Sequence, residues 1–189
     1  MKTFLNGILM MKRLRRQGWV RAGVPISSVE SIAEHSFGTA LIAMLLAIIH
    51  NSKVEEEHKK VDIFRCVTIA ILHDFPESMF LDVDKSFDEL LGPSASKIKE
   101  ELDKNAIKQL LDGVPGDQAF LETLLQPSPS IEKTLVDYAD KLELIAQAKD
   151  YKRIGVTDSA LQDFLSSSHS LFSTTDLQAV KEVYQALAD

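Results

Sequence analysis

SIAEHSFGTALIAMLLAII, residues 31–49, decides the fold class. Ser31 followed three residues later by Glu34 has the spacing of a capping box, in which each residue satisfies a backbone N–H of the other. The stretch behind it carries no charge, and its longest apolar run is Ala40 to Ile49. That run is too short to span a bilayer and suits a buried helix. The spacing predicts a helix from Ser31 to about Ile49, closed by His50-Asn51-Ser52.

Helical periodicity continues on both sides, with neither strand-type alternation nor an internal repeat. Upstream, Phe4, Leu5, Ile8 and Leu9 form the apolar face of a first helix, which Gly18, Gly23 and Pro25 then interrupt. Downstream, a third helix begins near Glu55, polar at first and apolar all round from Val67 to Leu72, so its end should be buried. It stops at HDFP, because the residue before a proline resists helical geometry. PES can open one further turn, since proline suits a first helical position.

LGPSAS leads as a loop into a charged helix from about Ser96 to Leu111. DGVPGD is a turn and QPSPS a break. Helices are predicted from Ile131 to Tyr151, Thr157 to Leu165 and Thr175 to Ala188, with SSSHS as a surface loop. The sum is a single all-α domain of about seven or eight helices over 1–189.

At 189 residues and 45% hydrophobic content, the chain has enough apolar material for a full core. The one cysteine, Cys66, excludes an internal disulfide and suits a reducing, cytoplasmic setting. The apolar and basic parts of the N-terminus are in the wrong order for a secretory signal. Net charge is −7, yet no acidic residue precedes Glu30, while Lys2, Lys12, Arg13, Arg15, Arg16 and Arg21 do. A nucleic-acid binder would carry a broader basic excess. A basic segment on an acidic body fits a small anionic ligand, or simply a solvated helix face.

Chemistry concentrates in ILHDFPES, residues 71–78. His73 and Asp74 stand at the end of an apolar run, where an unpaired charge is costly. His35 lies in the first turn of the long apolar helix. Asp140 sits in LVDYADKLELIAQA with Val136, Glu143 and Leu144 as helical neighbours, whereas Asp137 has Lys133 and Lys141 four residues either side, the pattern of a wet face. Two imidazoles and two carboxylates on three helices make a divalent-metal set. Spacing alone leaves this open against core histidines bound to backbone.

EHS, LHD and YAD, in this order, resemble the H…HD…D pattern of the HD-domain metal-dependent phosphohydrolases. The wider set RRQGWVRAGV, SVESIAEHSFGTA, LHDFPE and DYADKLE is similar to the small 5′-nucleotidase branch, which includes 5′-deoxynucleotidases. The resemblance implies an HD-type helical bundle and one divalent ion per chain (Co2+, Mn2+, Mg2+ or Zn2+) held by His35, His73, Asp74 and Asp140. It implies Glu77 as the general acid or base, and Arg16, Trp19 and Asp82 as substrate contacts, with the Trp19 ring closing over the sugar. The metal-site core would run from about 28 to 151, with residues 1–27 adding substrate contacts and helices in 157–188 closing the chain.

Leu81 stands where that branch has a glycine, and Asp84 follows Asp82 closely. No histidine lies between Asp74 and Asp140, so the extra ligands of two-metal HD enzymes are missing. The implied reaction is hydrolysis of nucleoside 5′-monophosphates, 2′-deoxyribonucleotides first, by a homodimer with no nucleic-acid polymer or membrane as partner. The alternatives are another HD phosphohydrolase, acting on nucleoside triphosphates or analogues, and a non-catalytic metal-stabilised scaffold.

Overall fold

The computed structural model describes residues 1–82, 85–157, 159, 161, 162, 171, 172 and 174–188. The α-helices are α1 (Lys2–Met11), α2 (Gln17–Arg21), α3 (Ile32–Lys53), α4 (Ile63–Leu72), α5 (Lys85–Leu91), α6 (Ala95–Leu111), α7 (Gln118–Leu125), α8 (Ile131–Arg153) and α9 (Gln178–Ala188). Among the described residues the extended pairing is a single isolated bridge, Arg15 with Ser31. The expected all-α class holds. Asp84, His169, the SSSHS loop and most of the Thr157–Leu165 helix lie outside the described residues.

The capping box forms as the sequence demands. Ser31 N–H and Oγ–H donate to Glu34 Oε2 at 2.6 and 2.7 Å, and Glu34 N–H donates back to Ser31 Oγ at 3.2 Å. Helix α3 runs past the expected close, because Asn51 is used from inside the helix. Its amide clamps Val61 through Nδ2–H to O (2.9 Å) and N–H to Oδ1 (2.8 Å). The third helix starts later than the acidic run suggested, at a cap made by Asp62 Oδ1 to the Arg65 N–H. It is not buried all round, since Ile71 is half exposed. Helices α2, α5 and α7 go beyond the sequence expectation, in which Gly18 opens a loop where α2 forms; Asp117 caps α7 through the Phe120 N–H. Helix α9 starts at Gln178, because Thr175 spends its hydroxyl accepting from the Leu177 N–H.

The chain divides into two compact units, 1–34 with 72–126 and 35–71 with 127–189. The first has a core of Met11, Ile32, Phe75, Ile107, Leu110 and Leu111, joined by Leu125. Helix α1 presses on it with Phe4, whose ring centre lies 4.8 Å from that of Phe75. Gly7 permits the approach, since a Cβ there would stand 2.9 Å from Ser78 Oγ and 3.0 Å from Phe75 Cζ. Leu5, Ile8 and Leu9, expected on the apolar face of α1 with Phe4, are exposed instead.

The second unit is built on the buried faces of α3 (Ala43, Leu46, Ala47), α4 (Cys66, Ile69, Ala70) and α8 (Leu135, Ala139, Leu142). Phe172 stacks on Tyr184 of α9 at 4.6 Å. Burial pushes the Cys66 thiol up to about 12, so it is a packing residue and not a nucleophile.

Candidate active site

In the first unit, Leu72 leads through His73 and Asp74 straight into a 3-10 turn, Phe75–Met79. Phe75 and Pro76 are buried and anchor that turn. The turn carries Glu77 inward rather than onto a surface. Glu77 is 3% exposed. Its Oε1 lies 3.1 Å from Lys99 Nζ of α6, which also pairs with Asp103 one helical turn on. Its Oε2 is buried with no hydrogen-bond partner among the described residues. Burial and the neighbouring Asp74 charge push the Glu77 carboxyl up to about 9, against the pull of Lys99.

Arg16 ties the segment together. Its Nη1 donates to Asp74 Oδ2 and to Asp82 Oδ1, each at 3.1 Å. Asp82 also accepts from the Gln17 backbone N–H at the start of α2. His73 Nε2 lies 3.3 Å from Asp74 Oδ2. Trp19 is fully packed, with Nε1–H donating to Glu30 Oε1 at 2.8 Å. The indole is thereby held against Glu30 within the first unit.

In the second unit, α3 and α8 bring His35 and Asp140 together. His35 is fully buried. Its Nε2 is 3.1 Å from Asp140 Oδ1 and its Nδ1 is 2.6 Å from Glu143 Oε2. Lys141 pairs with Asp140, and not with Asp137 as its spacing suggested, while Asp137 pairs with Lys133. An imidazole nitrogen and a carboxylate oxygen side by side in a buried place are donors that suit a divalent ion.

A family model described as HD domain matches residues 8–181. The chain belongs to the HD-domain family. Among curated relatives, 5′-deoxynucleotidase HDDC2 of Dictyostelium discoideum is 31% identical over 183 residues, covering 89% of this chain and 90% of its own. 5′-Deoxynucleotidase YGK1 of Saccharomyces cerevisiae is 27% identical, with 89% and 74% covered. The solved PH0347 protein from Pyrococcus horikoshii OT3 matches with a TM-score of 0.74 at 27% identity over 99% of this chain and 98% of that one. A conserved hypothetical protein from Pyrococcus furiosus matches with a TM-score of 0.69 at 28% identity over 98% and 99%.

HD domains are metal-dependent, and the H…HD…D residues divide as His35 with Asp140 in one unit and His73 with Asp74 in the other. Reading the HD-domain sequence alone missed Lys99, Glu143 and Glu30 as partners of site residues. Lys99 offered only its spacing to Asp103. Glu143 offered a better signal, one helical turn from Asp140 on the same face.

Leu81 explains how Asp82 reaches Arg16 without the glycine that this HD branch carries there. Its backbone takes φ +85°, the left-handed region a leucine avoids. The Leu81 N–H is tied to Glu77 O at 2.8 Å, which holds the bend. Leu81→Gly is therefore expected to raise stability by about 1 kcal/mol, the left-handed penalty less the entropy glycine adds to the unfolded chain. Urea unfolding of the two proteins checks it, and a destabilised glycine variant contradicts the strain.

Proposed function

We propose that this chain is a metal-dependent phosphomonoesterase that hydrolyses nucleoside 5′-monophosphates, 2′-deoxyribonucleotides preferred, to nucleoside and phosphate. The observation that carries the reading is a buried glutamate, its carboxyl pushed up to about 9, three residues after the HD pair in a chain whose curated relatives are named 5′-deoxynucleotidases. One divalent ion is held by His35, His73, Asp74 and Asp140. That ion, when bound, supplies Lewis acidity toward the phosphoryl group and an acidified water.

The side chains do the rest. Glu77, protonated in its buried turn, gives its proton to the 5′-oxygen as the phosphorus–oxygen bond breaks, and regains one from the attacking water. A cation beside Asp74 offsets one of the causes that raise the Glu77 carboxyl, bringing it nearer the working pH. Arg16, already aligned by Asp74 and Asp82, presents its guanidinium to the phosphate. Asp82 is the residue that aims it. Trp19, fixed by Glu30, forms a flat wall for the sugar. The test is a panel of deoxy- and ribonucleoside 5′-monophosphates with Co2+, Mn2+, Mg2+ and Zn2+. Absence of phosphate release from every monophosphate would end the proposal.

The wall predicts a substrate effect. Trp19→Phe removes the bond to Glu30 with little loss of volume, so the protein should fold. It should narrow the ratio of kcat/KM for dAMP over AMP while metal affinity stays unchanged. An unaltered ratio makes Trp19 a packing residue.

The partner is a second copy. Helix α3 is long and apolar enough to cross a membrane by length and composition, because it is apolar on its outer face too. Phe37, Leu41, Met44, Leu45 and Ile48 are 38–66% exposed. Their spacing makes one exposed apolar stripe along the helix. A standard dimer covers about 800 Å² per partner, and Phe64 and Ile71 of α4 add exposed apolar area in the same unit. Leu41→Asp should convert a dimer to a monomer in light scattering. A monomeric wild type at micromolar concentration would contradict this.

A further inference from the structure

The His35 imidazole faces two carboxylates one helical turn apart on α8: Nδ1 is hydrogen-bonded to Glu143 Oε2 at 2.6 Å, and Asp140 Oδ1 lies 3.1 Å from Nε2. Asp140 is assigned to the metal by the family pattern. Glu143 is not part of that pattern, yet it is buried at 7% exposure. A carboxylate is costly to bury without a firm partner, and Nδ1 of His35 is that partner.

Helix α3 is shaped to admit it. Gly38 lies one turn after His35. A Cβ there would stand 2.9 Å from Glu143 Cγ and 3.0 Å from its Oε1, closer than carbon contacts allow. A side chain at 38 would force the Glu143 side chain to shift from its place beside the imidazole. Glycine is unfavourable in a helix interior relative to alanine, and the Glu143–His35 bond supplies a reason for its presence at that position.

From this geometry we infer that Glu143 is the positioning residue of the metal site: it holds the proton of His35 on Nδ1, so that the Nε2 lone pair is directed to the side occupied by Asp140 and presented to the ion. A carboxylate against Nδ1 favours the N–H there, and a neutral imidazole has only one such proton. Glu143 also fixes the ring's rotation and makes Nε2 a stronger donor. It touches neither the ion nor the substrate. The inference rests on His35 being a metal ligand.

Metal affinity of the folded protein tests it, measured by Co2+ titration calorimetry and by the visible spectrum of the bound Co2+, in wild type, Glu143→Ala, Glu143→Gln, Gly38→Ala and His35→Ala. Glu143→Ala is expected to weaken Co2+ binding about 10–100-fold and to alter the Co2+ spectrum. Glu143→Gln, which keeps an acceptor for Nδ1–H, should restore part of that loss. Gly38→Ala should weaken binding in the same direction without removing any donor atom. The melting temperature of the metal-free protein separates this from a packing role, which would lower it in Glu143→Ala and leave Co2+ affinity alone.

Co2+ affinity unchanged in Glu143→Ala, with His35→Ala abolishing it, overturns the positioning role and leaves the ligand set intact. Should Glu143→Ala fail to fold, unchanged affinity in both Glu143→Gln and Gly38→Ala overturns it equally. Wild-type affinity in His35→Ala removes the ligand assignment and this inference with it.

Discussion

Glu77→Gln is expected to lower kcat about 10²–10⁴-fold while bound metal stays near one ion per chain, the range for losing a positioned proton donor. Glutamine keeps the shape of the side chain and its reach toward Lys99, and removes only the transferable proton. The same substitution has a second readout that needs no substrate. The Glu77 carboxyl is raised from 4.5 to about 9 in the folded, metal-free protein, first by burial and then by Asp74. Folding therefore favours the protonated form. The associated stability is fully present below the unfolded value, declines as pH rises through the interval between the two, and is gone above about 9. Denaturant unfolding of wild type across that interval should show this decline, and Glu77→Gln should flatten it. A flat wild-type profile with full turnover in Glu77→Gln would return Glu77 to a packing role. Loss of the metal together with activity would move it among the ligands.

Asp140→Ala is expected to abolish the metal-dependent gain in thermal stability. An ion that binds only the folded state, at about 100 times its Kd, adds about 2.7 kcal/mol, which in a chain of this size is about 5–10 °C. Asp140→Ala removes the carboxylate oxygen 3.1 Å from His35 Nε2, so the melting curves with and without metal should coincide, and turnover should vanish with them. Asp137→Ala is the control. Asp137 lies on the same helix, exposed and paired only across the surface with Lys133, and a surface pair of this kind is worth about 0.3–0.5 kcal/mol. Its metal-dependent gain should match wild type. Scanning calorimetry with and without saturating Mn2+ or Co2+ measures both. A full gain in Asp140→Ala would exclude it from the ligand set.

What the sequence by itself determined is local. The Ser31–Glu34 box is visible because its partners are three residues apart and a helix start dictates their spacing. The stop of α4 at HDFP and the turn after it follow from the fixed geometry of Pro76. The solvated pair Lys133–Asp137 is readable for the same reason. The H…HD…D residues were legible as an ordered pattern, though their spacing left core histidines as an open alternative.

Tertiary structure decided everything that depends on who faces whom across the chain. Glu77 looks like a helix-start glutamate in sequence, and only packing of α1 and α6 over its turn removes it from water and sets Lys99 beside it. The bond from the Trp19 indole N–H to buried Glu30 has no signal in the sequence. The exposure of Leu5, Ile8 and Leu9 reflects which side of α1 meets Phe75, a choice periodicity does not make. The left-handed backbone at Leu81 is invisible in a leucine. The Glu143–His35 contact spans 108 residues. The physical reason is range. Caps, prolines and periodicity act within a turn or two of helix, whereas the energy of a buried carboxylate depends on partners that only the packed chain brings within 3 Å.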